Sequence, residues 1–116
     1  MMELRKSVLR GQRPGPKCLI TAGVHGDEFE GILATLRLLQ VLDTTHLSGT
    51  VTLVPVVNEL ALEAHARCGP DGLDLARSCP GKRDGAPTEQ VAAALSELIQ
   101  AADYYIDLHS GGRVMD

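Results

Sequence analysis

Apolar positions along this chain occur first in short, nearly continuous runs and then at helical spacing, and this change repeats. Met2 to Leu9 reads as a first strand, and Gly11 to Pro16, GQRPGP, is a cluster of turn formers. Lys17 to Ala22 is short, mostly apolar and contains Ile and Thr, which predicts a buried strand. After Gly23 to Asp27 the period lengthens. Phe29, Ile32, Leu33, Leu36 and Leu39 fall at steps of three, one, three and three, the repeat of one helix face. Asp27, Glu28 and Glu30 crowd the first turn, where acidic side chains favour the helix dipole. Thr50 to Val57, TVTLVPVV, is β-branched and predicts a strand, with Pro55 marking an edge or a bulge. Asn58 to Ala66 predicts a short helix capped by Asn58. Arg67 to Pro87 holds four Gly and three Pro and predicts a long loop, a kind of segment that tends to be functional or disordered. Thr88 then caps a second helix with an apolar face of Val91, Ala94, Leu95, Leu98 and Ala102. Tyr104 to Leu108 predicts a last strand.

Strands that alternate with helices imply an α/β fold: a mostly parallel or mixed sheet with flanking helices. At 116 residues the chain is read as one domain, 1–116, with a real core. In such sheets ligands gather at the carboxyl ends of the strands, and His25 and His109 both lie just past a predicted strand end. The hydrophobic share of 44% and charged share of 22% fit a soluble globular protein. A net charge of -4 and the lack of a basic stripe argue against a nucleic-acid partner. No apolar run reaches spanning length, so no membrane partner is expected. The opening MMELRKSVLR lacks the apolar core of a signal peptide, and a cytoplasmic protein is expected. Cys18, Cys68 and Cys79 are an odd number at no zinc-finger spacing, which speaks against a disulfide framework. Cys18 reads as a buried strand residue, and Cys68 and Cys79 are poor matches to known ligand spacings.

The stretch VHGDE places His25 and Glu28 three residues apart at a strand-to-helix turn. They are either a solvated loop pair or two ligands of one ion. A catalytic zinc site takes three protein ligands and leaves a position open, and a close pair of ligands costs little chain entropy to organise. His109, at another strand end, is the candidate third ligand. Asp107 precedes it by two residues and shares its face, which makes it a candidate hydrogen-bond partner for a ligand imidazole. His46 and His65 read as solvated. Arg67 and Arg77 flank GPDGLD in the long loop; they are either surface charge or a planar fork for an anionic substrate.

Four segments in order, GVHGDEFEG, VPVVNELALEAHAR, DGLDLARSCPG and DLHSGG, resemble the succinylglutamate desuccinylase and aspartoacylase family, the deacylase branch of the zinc carboxypeptidase superfamily. The last motif and the Leu-Ala-Arg triplet look closest to bacterial enzymes that remove an acyl group from an N-acylated amino acid, such as the acetyl-diaminobutyrate deacetylases of ectoine breakdown. The resemblance implies one zinc held by His25, Glu28 and His109, with Arg67 and Arg77 binding the substrate carboxylate or polarising the scissile carbonyl. Asn58 matches an asparagine-containing segment and is expected to be structural. The implied reaction is amide hydrolysis of a small N-acylated amino acid, with a glutamate as general base.

The chain departs from the family pattern in several places. Ala76 stands where the aspartoacylase pattern has asparagine, and Cys79 where an aromatic is usual before Pro-Gly. The catalytic glutamate of the family lies well after the third ligand, whereas Asp116 is only seven residues after His109, and no residue matches it. Asp27, Glu30 and Asp107 are nearby acids that do not match that base, and Glu28 cannot serve as base while it is a ligand. Family members are roughly twice this size or more, within the range of one large α/β domain. The expectation is therefore the metal-binding part of a deacylase, from a fragment, a split gene product or a truncated protein, with self-association through an uncovered sheet as a consequence. The alternatives are a non-catalytic zinc-binding or interaction module, and a peptide carboxypeptidase with the same ligands.

Overall fold

The β-branched and apolar runs form a single four-stranded sheet in the computed structural model, which describes residues 2–111. Gly112 of the last motif and the stretch to Asp116 lie outside the described residues. The strands are β1 (Ser7–Arg10), β2 (Arg13–Thr21), β3 (Ser48–Val54) and β4 (Tyr104–Asp107), in the spatial order β1-β3-β2-β4. β3 pairs with β2, and β2 with β4, in parallel; β1 pairs with β3 antiparallel. The sheet is thus mixed, with helices between its parallel strands: α1 (Phe29–Val41), the short α2 (Glu59–Glu63) and α3 (Pro87–Ala101).

Boundaries differ from the sequence reading where pairing overrides composition. The first strand starts at Ser7, because Met2 and Leu4 leave the sheet to pack against the main core. Part of GQRPGP joins β2, with a register shift between Arg13 and Lys17 that absorbs the two prolines. Pro55 lies just past the end of β3, so this central strand keeps its ladder intact. The long loop carries one 3-10 turn, Leu75–Arg77. Asn58 caps α2 as expected, its side chain accepting from the Ala61 amide at 3.2 Å.

Side chains alternate across the sheet, and each face has its own cover. Leu19 of β2 and Val54 of β3 belong to a buried cluster with Val24, Val57 and Leu75, and with Val91, Ala92 and Leu95 of α3. Leu53, wholly buried, points to the opposite face, where α1 lies against β3. The buried residues of α1 are Gly31, Ile32 and Thr35. The Thr35 hydroxyl is satisfied by the Gly31 carbonyl at 2.8 Å. The expected apolar face of α1 is therefore only partly inside. Ile32 faces the sheet, while Phe29, Leu33 and Leu36 are 39%, 65% and 44% exposed. The helix presents its small residues inward for a close approach, and the bulky stripe is left bare. β4 lies at the sheet edge with Tyr104, Tyr105 and Ile106 exposed. Among the described residues no helix is long and apolar enough to cross a membrane.

Candidate metal centre

β2 ends at Thr21, and the chain must then turn sharply while staying tied to its neighbours. Ala22 and Gly23 exchange backbone bonds with Val54, Val57 and Asn58 at 2.9 to 3.0 Å, which stitches the turn to the exit of β3. Gly23 has φ +68, a conformation that costs other residues strain. Gly26 faces the backbone of α2: a Cβ there would stand 2.1 Å from the Ala61 carbonyl carbon. The glycine lets the turn seat directly on α2, and this buries His25 and Glu28 on either side of it, each 5% exposed. Glu28 occupies the N-cap position of α1 but makes no capping bond with its side chain, which points into the site instead.

His109 arrives from β4 through parallel pairing. Thr21 and Asp107 are register partners, and the Leu108 amide bonds the Thr21 carbonyl at 2.8 Å. The chain just past β4 is thereby set against the chain just past β2. The two imidazole centroids are 5.4 Å apart. One ligand atom from each of His25, Glu28 and His109 lies within 4.8 Å of the others.

The pairing of atoms is ordered. His25 Nδ1 lies 2.5 Å from Glu28 Oε2, and His109 Nδ1 lies 3.1 Å from Glu28 Oε1. The far nitrogen of each ring meets a different carboxylate: His25 Nε2 is 2.9 Å from Asp74 Oδ1, and His109 Nε2 is 2.5 Å from Asp107 Oδ2. The Ser110 amide donates to Glu28 Oε1 at 2.8 Å. A carboxylate at Nε2 favours a proton there, so Nδ1, which faces Glu28, is the nitrogen that each ring can offer to an ion. Burial pushes the Glu28 carboxyl upward, but the Ser110 amide and the two imidazoles outweigh it and hold it below its ordinary range. Asp74 is likewise lowered against burial, by His25, the Ala76 amide and Arg67. For His109 burial favours the neutral ring, while Asp107 and Glu28 favour the charged one and prevail.

This donor set fits a divalent ion. Two imidazole nitrogens, which bind an ion in their neutral form, and an ionised carboxylate, each oriented by a further hydrogen bond, are the usual ligands of a three-residue metal site. Ligands at about 2.0–2.1 Å from a tetrahedral ion stand roughly 3.4 Å from one another; the His109–Glu28 pair, at 3.1 Å, is near this, and the His25–Glu28 pair, at 2.5 Å, is closer together. The structure also brings Arg67 and Arg77 to the rim. Both turn toward Asp74 Oδ2, Arg67 at 3.3 Å and Arg77 at 3.9 Å, and both remain exposed enough to meet a ligand.

Asp107 is the partner of His109 that the strand period implied. His46 is exposed and pairs with Asp43, and the His65 ring stands 6.5 Å from Phe29; neither joins the cluster. Cys68 and Cys79 are free thiols outside it. Asp74 was not singled out from sequence, although it sits between the two arginines in DGLDLARSCPG.

Residues 14–116 match the family model of the succinylglutamate desuccinylase/aspartoacylase catalytic domain. The chain is 44% identical over 111 residues to an N-alpha-acetyl-L-2,4-diaminobutyric acid deacetylase of Halomonas elongata, covering 94% of this chain and 32% of that protein. A crystal structure of a succinylglutamate desuccinylase/aspartoacylase from Rhodobacter sphaeroides superposes with a TM-score of 0.86 at 36% identity, covering 92% of this chain and 33% of that one. The product-bound ectoine utilization protein EutE (DoeB) of Ruegeria pomeroyi gives 0.84 at 36% identity, covering 91% and 33%. The chain thus spans about a third of the length of the curated relative it matches.

Proposed function

Because this chain belongs to the succinylglutamate desuccinylase/aspartoacylase family, we propose that it carries the zinc-binding part of a hydrolase that cleaves the amide bond of a small N-acylated amino acid. The observation that supports this most is the convergence of His25 Nδ1 and His109 Nδ1 on the two oxygens of Glu28, with each ring anchored from behind by an aspartate. His25, Glu28 and His109 hold the zinc. A zinc held there would supply a Lewis acid for the acyl carbonyl and for a water.

The remaining chemistry belongs to the protein. Arg67 and Arg77 bind the carboxylate of the amino acid, for which a guanidinium fork is suited. Asp74 holds both arginines and His25 at once, so the anion-binding group and the metal ligand share one support. Ala76 leaves the neighbourhood of the arginines without the amide that the aspartoacylase pattern places there. The resemblance to the Halomonas enzyme makes an Nα-acetylated diamino acid the first substrate to try. Asp74 and Asp107 do not supply the general base, because both oxygens of each are engaged by hydrogen-bond or ion-pair partners. A non-catalytic zinc-binding module is the second reading.

The test starts from the metal content of the chain after dialysis against metal-free buffer. One zinc per chain is expected, and His109→Ala should abolish it. Full retention of zinc in that variant would sink the ligand assignment. Hydrolysis of acetylated and succinylated amino acids by the zinc-loaded chain then separates the enzyme from the binding module.

A further inference from the structure

Behind Asp107 lies a group of hydroxyls that the reading above does not use. The Thr21 hydroxyl is 2.6 Å from Asp107 Oδ1 and 3.0 Å from the Tyr105 hydroxyl. Thr21 is wholly buried at the carboxyl end of β2, and Asp107 is its register partner in β4. A threonine hydroxyl has one proton to give. A carboxylate only accepts, so that proton goes to Asp107. Thr21 O–H thus goes to Asp107 Oδ1 and His109 Nε2–H to Asp107 Oδ2 at 2.5 Å, while the Tyr105 hydroxyl meets Thr21 and also interacts with Asp107.

We propose that Thr21 is a positioning residue for the metal ligand His109, acting through Asp107, with the Tyr105 hydroxyl as the first member of the relay. This rests on the zinc reading given above. A carboxylate held only by its own side-chain torsions can offer His109 either oxygen over a broad range of angles. The bond from Thr21 ties down Oδ1 and leaves Oδ2 aimed at the ring. That fixes the Nε2–H tautomer and holds Nδ1 in the direction of Glu28. A threonine that only filled its own space would not need its hydroxyl in this place.

Valine keeps the shape of Thr21 and removes the hydroxyl, whereas serine keeps the hydroxyl and loses the methyl. Thr21→Val, Thr21→Ser and Tyr105→Phe chains are compared with the parent in a competitive zinc titration. The His109 Nε2–H proton is followed by NMR in metal-free protein with labelled histidine. Thr21→Val should weaken zinc binding about tenfold, the lower end for loss of a partner behind a metal ligand, and should shift or erase the Nε2–H signal. Thr21→Ser should restore both, and Tyr105→Phe should give a smaller loss in the same direction. Parental zinc affinity with an unmoved signal in Thr21→Val overturns the proposal, as does a Thr21→Ser chain as weak as Thr21→Val. If the parent binds no zinc, the metal reading fails by itself, and the relay is decided by the Nε2–H signal. If Thr21→Val does not fold, Tyr105→Phe, changed at a partly exposed ring, decides by the same two readouts.

Discussion

Asp74 shows how much a single side chain does at this site. One oxygen accepts from His25 Nε2 and from the Ala76 amide at 3.0 Å, and the other meets Arg67 and Arg77. Partners behind metal ligands matter nearly as much as the ligands, because they set tautomer and ring direction. Asp74→Ala is expected to weaken zinc binding by about 10- to 100-fold, read by competition with a chelator of known affinity. A parental affinity in that variant would mean that Asp74 serves only the loop. The residue types of the site were legible: two histidines and a glutamate, each at or beside a strand end, and an aspartate two residues before one of them. Asp74 was not, because it is one acid among several in a loop. Only the folded path of that loop, tied by the Arg67 carbonyl to Gly26, puts it behind His25.

The long loop does a second task for an element it does not belong to. α3 begins at Pro87, and Ala86 at its N-cap has no side-chain acceptor. Pro87 has no amide hydrogen, so Thr88 carries the first free donor of the helix. Asp71, seventeen residues earlier, takes that amide at 2.8 Å and the Thr88 hydroxyl at 2.7 Å. Thr88 is therefore capped by the loop and is not the cap that its residue type predicted. Sequence rules look for a cap next to the helix, and a remote one has no local signature. Burial raises the Asp71 carboxyl, but the bonds from Thr88 and Leu73 overcome this and lower it below its ordinary value of 3.8. A group lowered in the folded state stabilises fully above its unfolded value, and the stabilisation is lost as the pH falls through the folded value. Asp71→Ala is expected to cost about 1 kcal/mol at pH 7, as for loss of a helix cap. The gap between parent and variant should begin to narrow below about pH 4 and close as the pH falls through the lowered folded value. Urea melts at pH 7 and at a series of lower pH values check this, and a gap that does not narrow as the pH falls would assign the effect to packing.

At the level of the whole molecule the parallel pairs follow from strands joined by helices, and the mixed sheet was within reach of the sequence, whereas the strand order was not. Which helix faces are covered was not. Hydrophobic spacing shows that α1 has an apolar stripe, but not that anything lies against it. The structure leaves Leu33 at 65% exposed and Leu36 at 44%, and β4 exposes Tyr104 and Ile106 at an open edge. The two leucines Leu33 and Leu53 therefore separate two states of the molecule in solution. If the α1 stripe meets water, Leu33→Glu should change stability by no more than about 0.5 kcal/mol. Leu53→Ala removes a wholly buried side chain and should cost about 2–5 kcal/mol. If chains associate through the bare stripe, Leu33→Glu instead costs far more, and the cost grows with protein concentration because burial then depends on assembly. Denaturant melts of both variants at two protein concentrations distinguish these cases. A concentration-independent Leu33→Glu loss as large as that of Leu53→Ala would contradict the packing described for α1.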